Sequence, residues 1–408
     1  MALVLPFKAV RPVAKYASQV AALPYDVMTR EEGQKAVADR PLNFMHVEKS
    51  EIDMPNGTRP DDLRIYETAK SNFGKLREEG ILKQDEIPFY YVYRQQMGAQ
   101  IQTGIVGVMS AAEYDEGKIK KHELTRQDKE EDRIRHVDTV NAQTGPVFIS
   151  YMARPRINAI VEKIVAGLPE YDFTAEDGVT HTAWVVADAA DIEAIKVEFA
   201  QVDALYIADG HHRAAAGSTV ARNRRKSGVT QESDMVMAVF FPHNQLRVMD
   251  YNRAVKDLHG LTADQFLGKI SAKFTVTNNF AAKSPQRLHD FGMYLGGHWY
   301  CITIKDGVYD AKDPVASLDA AILQDHLLAP VLGIADPRTD DRIKFIGGIR
   351  GMAELEKLVN QDGFAVAFSL YPTTMEQIMK VADAGAIMPP KSTWFEPKLR
   401  SGLFVHAL

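Results

Sequence analysis

Residues 204–228, ALYIADGHHRAAAGSTVARNRRKSG, decide how the chain is read. A buried apolar run ends at Ala208, Asp209 and Gly210 make a turn, and a helical pattern runs from His211 to about Lys226. A helix that starts this way offers free amide N–H groups and roughly half a positive charge at its tip. Arg213 and the imidazoles of His211 and His212 stand in the first turn. A guanidinium fork above free amides is chemistry suited to phosphate oxygens. Gly210 permits the tight turn and a close ligand approach. Ala214, Ala215, Ala216 and Gly217 let the helix lie close on a sheet. His211 and His212 project about 100° apart, so they are not expected to share one job. Asp209 is expected first as the helix cap and otherwise as a ligand for Mg²⁺. The plainer alternative is a strand–turn–helix without a ligand, its histidines satisfied by neighbours. The cations from Arg222 to Lys226 fall at the helix C-terminus, where they complement the dipole.

Outward from this segment, strands and helices alternate. Short apolar-rich runs predict strands over 3–10 and 43–47, and a hairpin over 87–94 and 100–109 turning at 97–99. Helical spacing is expected over 29–40, 60–82 and, with dense mixed charge, 125–142. A strand over 147–152, a hairpin over 171–186 and a strand over 235–241 complete the centre. From 261 onward the pattern predicts helices at 263–270, 316–327, 350–360 and 373–384, with strands at 298–304, 341–346 and 363–369. The class is therefore α/β or mixed α+β.

The composition is that of an ordinary folded protein. The 408 residues carry 48 Lys and Arg against 54 Asp and Glu, a net charge of −6, and 46% are apolar. These values exclude a disordered or collagenous chain. The length exceeds what one core usually serves, roughly 250–300 residues, so two or more subdomains are expected. Turn-rich stretches suggest regions 1–115, 116–260 and 261–408. Cys301 is the single cysteine, which excludes an intramolecular disulfide and a cysteine-based metal cluster. The mild acidity and the lack of a helix-turn-helix pattern argue against nucleic-acid binding. No apolar run approaches the roughly 20 residues that span a bilayer, and no export segment is recognisable, so a cytoplasmic protein is expected.

Other residues carry candidate chemistry. Glu48 and Glu51, after the strand expected at 43–47, could supply a carboxylate base. His122, Glu123 and Thr125 stand where a loop enters the charged helix. Thr125 with Asp128 fits an N-terminal capping pattern, while an inward His122 could meet phosphate or substrate. Asn141, Thr144 and Gly145 stand at a strand entrance, where they could contact substrate, although a plain turn is the expected reading. The stiff loop Pro389-Pro390-Lys391-Ser392-Thr393 presents short donors and a lysine, and Arg253 could complete a basic pocket with Lys391. The glycine-rich stretch 347–351 is a further anion-loop candidate, although a turn into the next helix is the expected reading.

The block Asp209-Gly210-His211-His212-Arg213 resembles the phosphate-binding turn of the ParB/sulfiredoxin-like superfamily, which includes free serine kinase, sulfiredoxin and CTP-binding ParB proteins. Nearly the whole chain is similar to the domain of unknown function 1015 family. The blocks that carry this resemblance are Pro24-Tyr25-Asp26-Val27, His122-Glu123 with Thr125, residues 209–213, Asp250-Tyr251-Asn252-Arg253, and Met388 to Thr393 with Phe395 and Lys398. Gln143-Thr144-Gly145-Pro146 departs from the Ser-Pro that the resemblance leads one to expect, so no side-chain role is expected at 144 or 145.

The resemblance implies a ParB/sulfiredoxin-like core with elaborations and a nucleotide-dependent, kinase-like phosphotransferase. It would use Mg²⁺ and ATP or ADP, and the hydroxyl compound would be serine or phosphoserine. In that reading His211, His212, Glu48 and Glu51 are catalytic candidates. Asp209, Gly210, Arg213, His122, Arg253, Lys391, Ser392 and Thr393 are phosphate or nucleotide contacts, and Asp209 doubles as a metal ligand. The partners are a nucleotide and a small molecule, with subunit count left open. The alternatives are a Mg²⁺-dependent phosphoserine-type phosphatase and a nucleotide-binding regulatory protein without catalysis.

Overall fold

The apolar run before the Asp-Gly turn forms the strand Leu205–Asp209, and the helix after it spans His211–Arg224. The computed structural model describes residues 2–225 and 229–408, so the expected helix end at Lys226 lies outside the described residues. The chain is mixed α/β and divides into two compact units, Met1–Leu246 with Pro397–Leu408, and Arg247–Glu396.

In the first unit the strand Leu205–Asp209 pairs antiparallel with Val147–Tyr151 and parallel with Ile119–Lys120. The sheet continues through Met235–Pro242, Gln100–Ser110, Tyr90–Met97, Thr180–Val186 and Tyr171–Thr174, with Val4–Leu5 added beside Gln100–Ser110. Met235–Pro242 is buried at every position, which explains its unbroken apolar sequence. A Cβ on Gly217 would lie 2.9 Å from Val236, so the small residues of His211–Arg224 do bring that helix close to the sheet. Helix packing against the strands buries Ala214 and Ala221 in one core with Ile149, Ile207 and Phe240. A smaller sheet aligns Leu82–Gln84, Ala9–Pro12, Val405–Ala407 and Ala142–Gln143, so the C-terminal strand is enclosed by earlier segments.

The second unit is an antiparallel sheet in the order Phe274–Asn278, His298–Ile304, Asp290–Leu295, Val366–Leu370, Tyr251–Val255 and Ile343–Gly347. One face packs on Asp319–Leu323 and its π-helical continuation Gln324–Leu328, the other on Gly351–Asn360. Three strands of this sheet, Tyr251–Val255, Phe274–Asn278 and Asp290–Leu295, were not read from the sequence, each being only five or six residues long and set among polar, turn-rich stretches.

The units divide the chain differently from the regions expected at 1–115, 116–260 and 261–408. Residues on both sides of 115 share the large sheet through Gln100–Ser110 and Ile119–Lys120, so no boundary falls there. Tyr251–Val255 pairs with Ile343–Gly347 and Val366–Leu370, which places 247–260 in the second unit. The strand expected over 43–47 is a helical turn, Met45–Glu48, because Asn43 accepts a hydrogen bond from the Met45 amide at 3.0 Å and starts it. The charged helix spans Gln127–Val140; Arg126 occupies its cap without a side-chain bond, and Thr125 donates to Glu130 rather than capping. No helix among the described residues is long and apolar enough to cross a membrane.

Buried histidines give the first unit a pH-sensitive stability. His181 is 1% exposed, meets the Tyr93 hydroxyl at 2.7 Å and accepts from Arg400 Nε at 3.2 Å. Burial first, then Arg400, push it down to about 3. The unfolded chain, with an ordinary value near 6.5, takes up the proton first, so stability falls as pH drops below about 6.5. At pH 5 this group alone costs about 2 kcal/mol relative to pH 7. Denaturant titrations at pH 7 and pH 5 check this: His181→Gln should flatten the difference, and an unchanged slope would contradict it.

Candidate functional site

The site is built around a carboxylate withdrawn from water. Glu48 ends the turn Met45–Glu48 and is 1% exposed. Its Oε2 accepts from the Thr144 hydroxyl at 2.5 Å, and its Oε1 lies 3.6 Å from Arg213 Nη2. The helix Gln127–Val140 supports the turn from behind. Arg133 and His136, one helical turn apart, reach the Glu48 carbonyl at 3.3 Å and the Val47 carbonyl at 2.9 Å. Arg133 is itself held by Asp132 at 2.8 Å and lies 4.0 Å from the centre of the Tyr25 ring. Burial alone would raise the Glu48 carboxyl, but Arg213, His136, Arg133 and the Thr144 hydroxyl more than reverse this and hold it below its ordinary value. Glu48 is therefore a carboxylate at neutral pH.

Arg213 reaches this carboxylate from the first turn of His211–Arg224 and donates to the Pro146 carbonyl at 3.0 Å. A guanidinium has five N–H donors, so these contacts leave donors over. Gly210, at φ 86°, is the helix cap, and no side chain caps the first turn. Asp209 departs from the expected cap role: it accepts from the Gly210 amide at 2.8 Å and pairs with Lys398 at 2.8 Å. Burial would raise Asp209, and Lys398 outweighs it, so the group stays far below the carboxylate range. The cap is a glycine because the tight turn needs the left-handed conformation, and Asp209 sits one residue too early to serve.

The two adjacent histidines diverge. His211 turns inward against His122, ring centres 4.6 Å apart and perpendicular. His212 accepts from the Arg126 amide at 3.1 Å. Burial pushes His122 down to about 4, against the pull of Asp209 and the Ile207 carbonyl, and lowers His211 further with help from His122. Both rings are neutral near pH 7. Neither nitrogen of His122, nor Nε2 of His211, makes a hydrogen bond of good geometry among the described residues, and the Ser401 hydroxyl is likewise unmatched.

A pocket of about 20 Å³ lies among Glu48, Arg133, His136, Thr144, Gly145 and Arg213, room for one water or one hydroxyl. Glu48, Arg133 and His136 also line a cavity of about 320 Å³ with Tyr25, Ser50 and Glu51, bordered by carboxylates and by Lys49, Lys129 and Arg135. Glu51 pairs with Lys49 at 2.7 Å on this cavity's wall.

The remaining candidates belong to the second unit. Buried Arg253 donates to the Lys391 carbonyl at 3.0 Å and lies 4.7 Å from the centre of the Phe345 ring. Ser392 donates to the Pro389 carbonyl at 2.7 Å, and its own carbonyl accepts from Thr373 at 2.9 Å. Thr393 is half-buried, and Lys391, at φ 57°, is exposed. The loop 389–393 is thus fastened from within its own unit. In the stretch 347–351 the Gly348 amide donates to the Asp250 carbonyl at 2.8 Å, which makes it a turn as expected.

Arg133, His136 and Ser401 were not foreseen at the site, and Thr144 and Gly145 were expected first as a plain turn. Arg133 and His136 were hidden in a helix whose charges read as a solvated face. Gly145 had a detectable signal, a small residue beside a strand start, but not its reason. A Cβ there would lie 2.7 Å from Ser401 Oγ, 3.1 Å from Glu48 Oε1 and 3.3 Å from Arg213 Cζ. Gly145→Ala should therefore destabilise the protein by about 1–3 kcal/mol in denaturant titrations. Gly74→Ala, inside Leu63–Glu78 with nothing within 4 Å, should be neutral or stabilising. Equal effects from the two would contradict the close packing at Gly145.

Among solved structures the fold is similar to a free serine kinase mutant in complex with AMP, at 14% identity and TM-score 0.36, covering 68% of this chain and 83% of that one. A conserved hypothetical protein from Pyrococcus furiosus matches at 15% identity and TM-score 0.35, covering 69% and 90%. SbnI with a C-terminal truncation from Staphylococcus aureus matches at 10% identity and TM-score 0.38, covering 71% and 82%. No curated protein matches the chain. The family model described as "Protein of unknown function (DUF1015)" matches residues 4–321, and the chain belongs to that family.

Proposed function

We propose that the protein is a nucleotide-dependent phosphotransferase that moves a phosphoryl group between a nucleoside phosphate and a small hydroxyl compound. The observation that carries this reading is the buried, ionised Glu48 set against Arg213 at a helix tip with no side-chain cap. Phosphoryl transfer needs little covalent help from the protein; it needs aligned reactants and neutralised oxygens. In this reading the amides of the first turn and the spare donors of Arg213 take the transferring phosphate. A substrate hydroxyl enters the water-sized pocket and gives its proton to Glu48, which Thr144 keeps oriented. A low-pKa carboxylate suffices here, because the proton leaves late in a loose transition state.

The cavity of about 320 Å³ that shares Glu48 is large enough for a small substrate, and its mixed charges suit a zwitterionic hydroxyl compound such as serine. Mg²⁺ would arrive on the nucleotide rather than in a protein cage, in keeping with its preference for phosphate oxygens and water. Asp209, already engaged by Lys398, positions the turn in this reading.

Incubating the protein with Mg²⁺ and each pairing of ATP or ADP with serine or phosphoserine, followed by ³¹P NMR, tests the proposal. Transfer should occur in at least one pairing. Glu48→Gln should lower turnover by about 10²–10⁴ while nucleotide binding persists. Arg213→Ala should weaken nucleotide binding by about tenfold or more. Turnover in no pairing, or full turnover by Glu48→Gln, would overturn it, and phosphate release from phosphoserine with Mg²⁺ alone would make the protein a phosphatase instead.

A further inference from the structure

We propose that His122, Glu123 and His211 form a binding site for a divalent transition-metal ion of the zinc class. One nitrogen or oxygen from each of the three residues falls within 4.8 Å of the others, and His211 Nδ1 lies 4.0 Å from Glu123 Oε2. The imidazoles are 2% and 6% exposed, while the Glu123 side chain is 46% exposed and gives the cluster its opening to solvent.

The second observation concerns what the two rings lack. Both nitrogens of His122 and Nε2 of His211 are buried without a hydrogen bond of good geometry among the described residues, the Ile207 carbonyl acting on His122 only from outside that geometry. Buried imidazoles in folded proteins ordinarily spend at least one nitrogen on a carbonyl, a carboxylate or water. The two rings meet edge to face, and His211 turns Nδ1, the nitrogen other than its unmatched Nε2, toward Glu123 at 4.0 Å. A cation held by His211 Nδ1, a His122 nitrogen and Glu123 would employ the unmatched His122 nitrogen and leave His211 Nε2 to carry that ring's proton. His212 belongs to no such arrangement, since its Nε2 already accepts from the Arg126 amide.

The donor set selects the ion. Two imidazole nitrogens and one carboxylate oxygen suit zinc and its neighbours, whereas Mg²⁺ and Ca²⁺ prefer oxygen donors alone. At bond lengths of about 2.0–2.2 Å the three donor atoms must draw to roughly 3.3 Å apart in tetrahedral geometry. Rotation of the Glu123 side chain and small ring shifts would supply that closure. Three protein donors leave a coordination position open, as in sites that take water or an anionic ligand rather than closed structural sites. His211 also opens the helix His211–Arg224, so that position would lie by the turn that carries Arg213.

This inference does not rest on the phosphotransferase reading, and its test requires neither nucleotide nor turnover. The full chain, stripped with chelator and dialysed, is titrated with Co²⁺ and followed by visible absorption, then with Zn²⁺ against a chromophoric chelator. The parent should bind one equivalent of Zn²⁺ with a Kd of about 1 μM or tighter. Glu123→Gln, on a side chain partly in solvent, should weaken binding about 10–100-fold, and His211→Gln and His122→Gln at least as much. His298→Ala, on an exposed residue of the second unit, should bind as the parent does. Glu123→Gln alone decides the matter if a histidine variant fails to fold. Parent affinity weaker than about 100 μM, or a parent-like Kd for Glu123→Gln, would overturn the proposal.

Discussion

A carboxylate taken out of water must be met by charge and by hydrogen bonds, or it stays protonated or unfolds the chain. Glu48 is met by Thr144, Arg213 and the more distant Arg133 and His136. The carboxylate and its partners come from four segments: the turn Met45–Glu48, the helix Gln127–Val140, which carries both Arg133 and His136, the link between Ala142–Gln143 and Val147–Tyr151, and the helix His211–Arg224. Glu48 and Arg213 are far apart in sequence, and the four segments converge only in the folded unit. The pair is a weak source of stability by itself, since desolvation offsets much of the Coulomb attraction. Its consequence is positional: breaking either side strands a buried charge, so the helix tip and the carboxylate are held in one arrangement.

The same arrangement accounts for the small residues nearby. Gly145 is flanked by Ser401, Glu48 and Arg213 at distances that leave no room for a methyl group. Gly210 takes the left-handed conformation that turns the strand Leu205–Asp209 into the helix, and Lys398 from the C-terminal segment anchors Asp209 just before that turn. The C-terminal strand Val405–Ala407 then closes a small sheet with Ala9–Pro12 and Ala142–Gln143. The last residues of the chain thereby buttress the site from the first unit's far end in sequence.

The sequence made the helix start at 211 legible, because Asp-Gly after an apolar run and before an alanine-rich stretch has few other readings. It also made the divergence of His211 and His212 legible, since adjacent helical positions point in different directions. It pointed to Glu48 without separating it from Glu51; burial, which only the fold supplies, separates them. Residues 43–47 read as a strand from their apolar content, yet Asn43 starts a helical turn through a local hydrogen bond that the apolar pattern does not register. Arg133 and His136 were unreadable because mixed charge along a helix ordinarily means solvent. Their inward turn depends on Tyr25, Val47 and Glu48, which lie more than eighty residues earlier. The break at 246 was equally hidden, because Tyr251–Val255 owes its place to partners about ninety and more residues later.

The most direct measurement of the central claim is a crystal structure of the full chain with Mg²⁺ and a non-hydrolysable nucleoside triphosphate. The account predicts a phosphate group hydrogen-bonded to first-turn amides of His211–Arg224 and to the Arg213 guanidinium, with the Glu48 carboxylate still bonded to Thr144. A nucleotide bound elsewhere, with Arg213 engaged only by Glu48 and the Pro146 carbonyl, would contradict it.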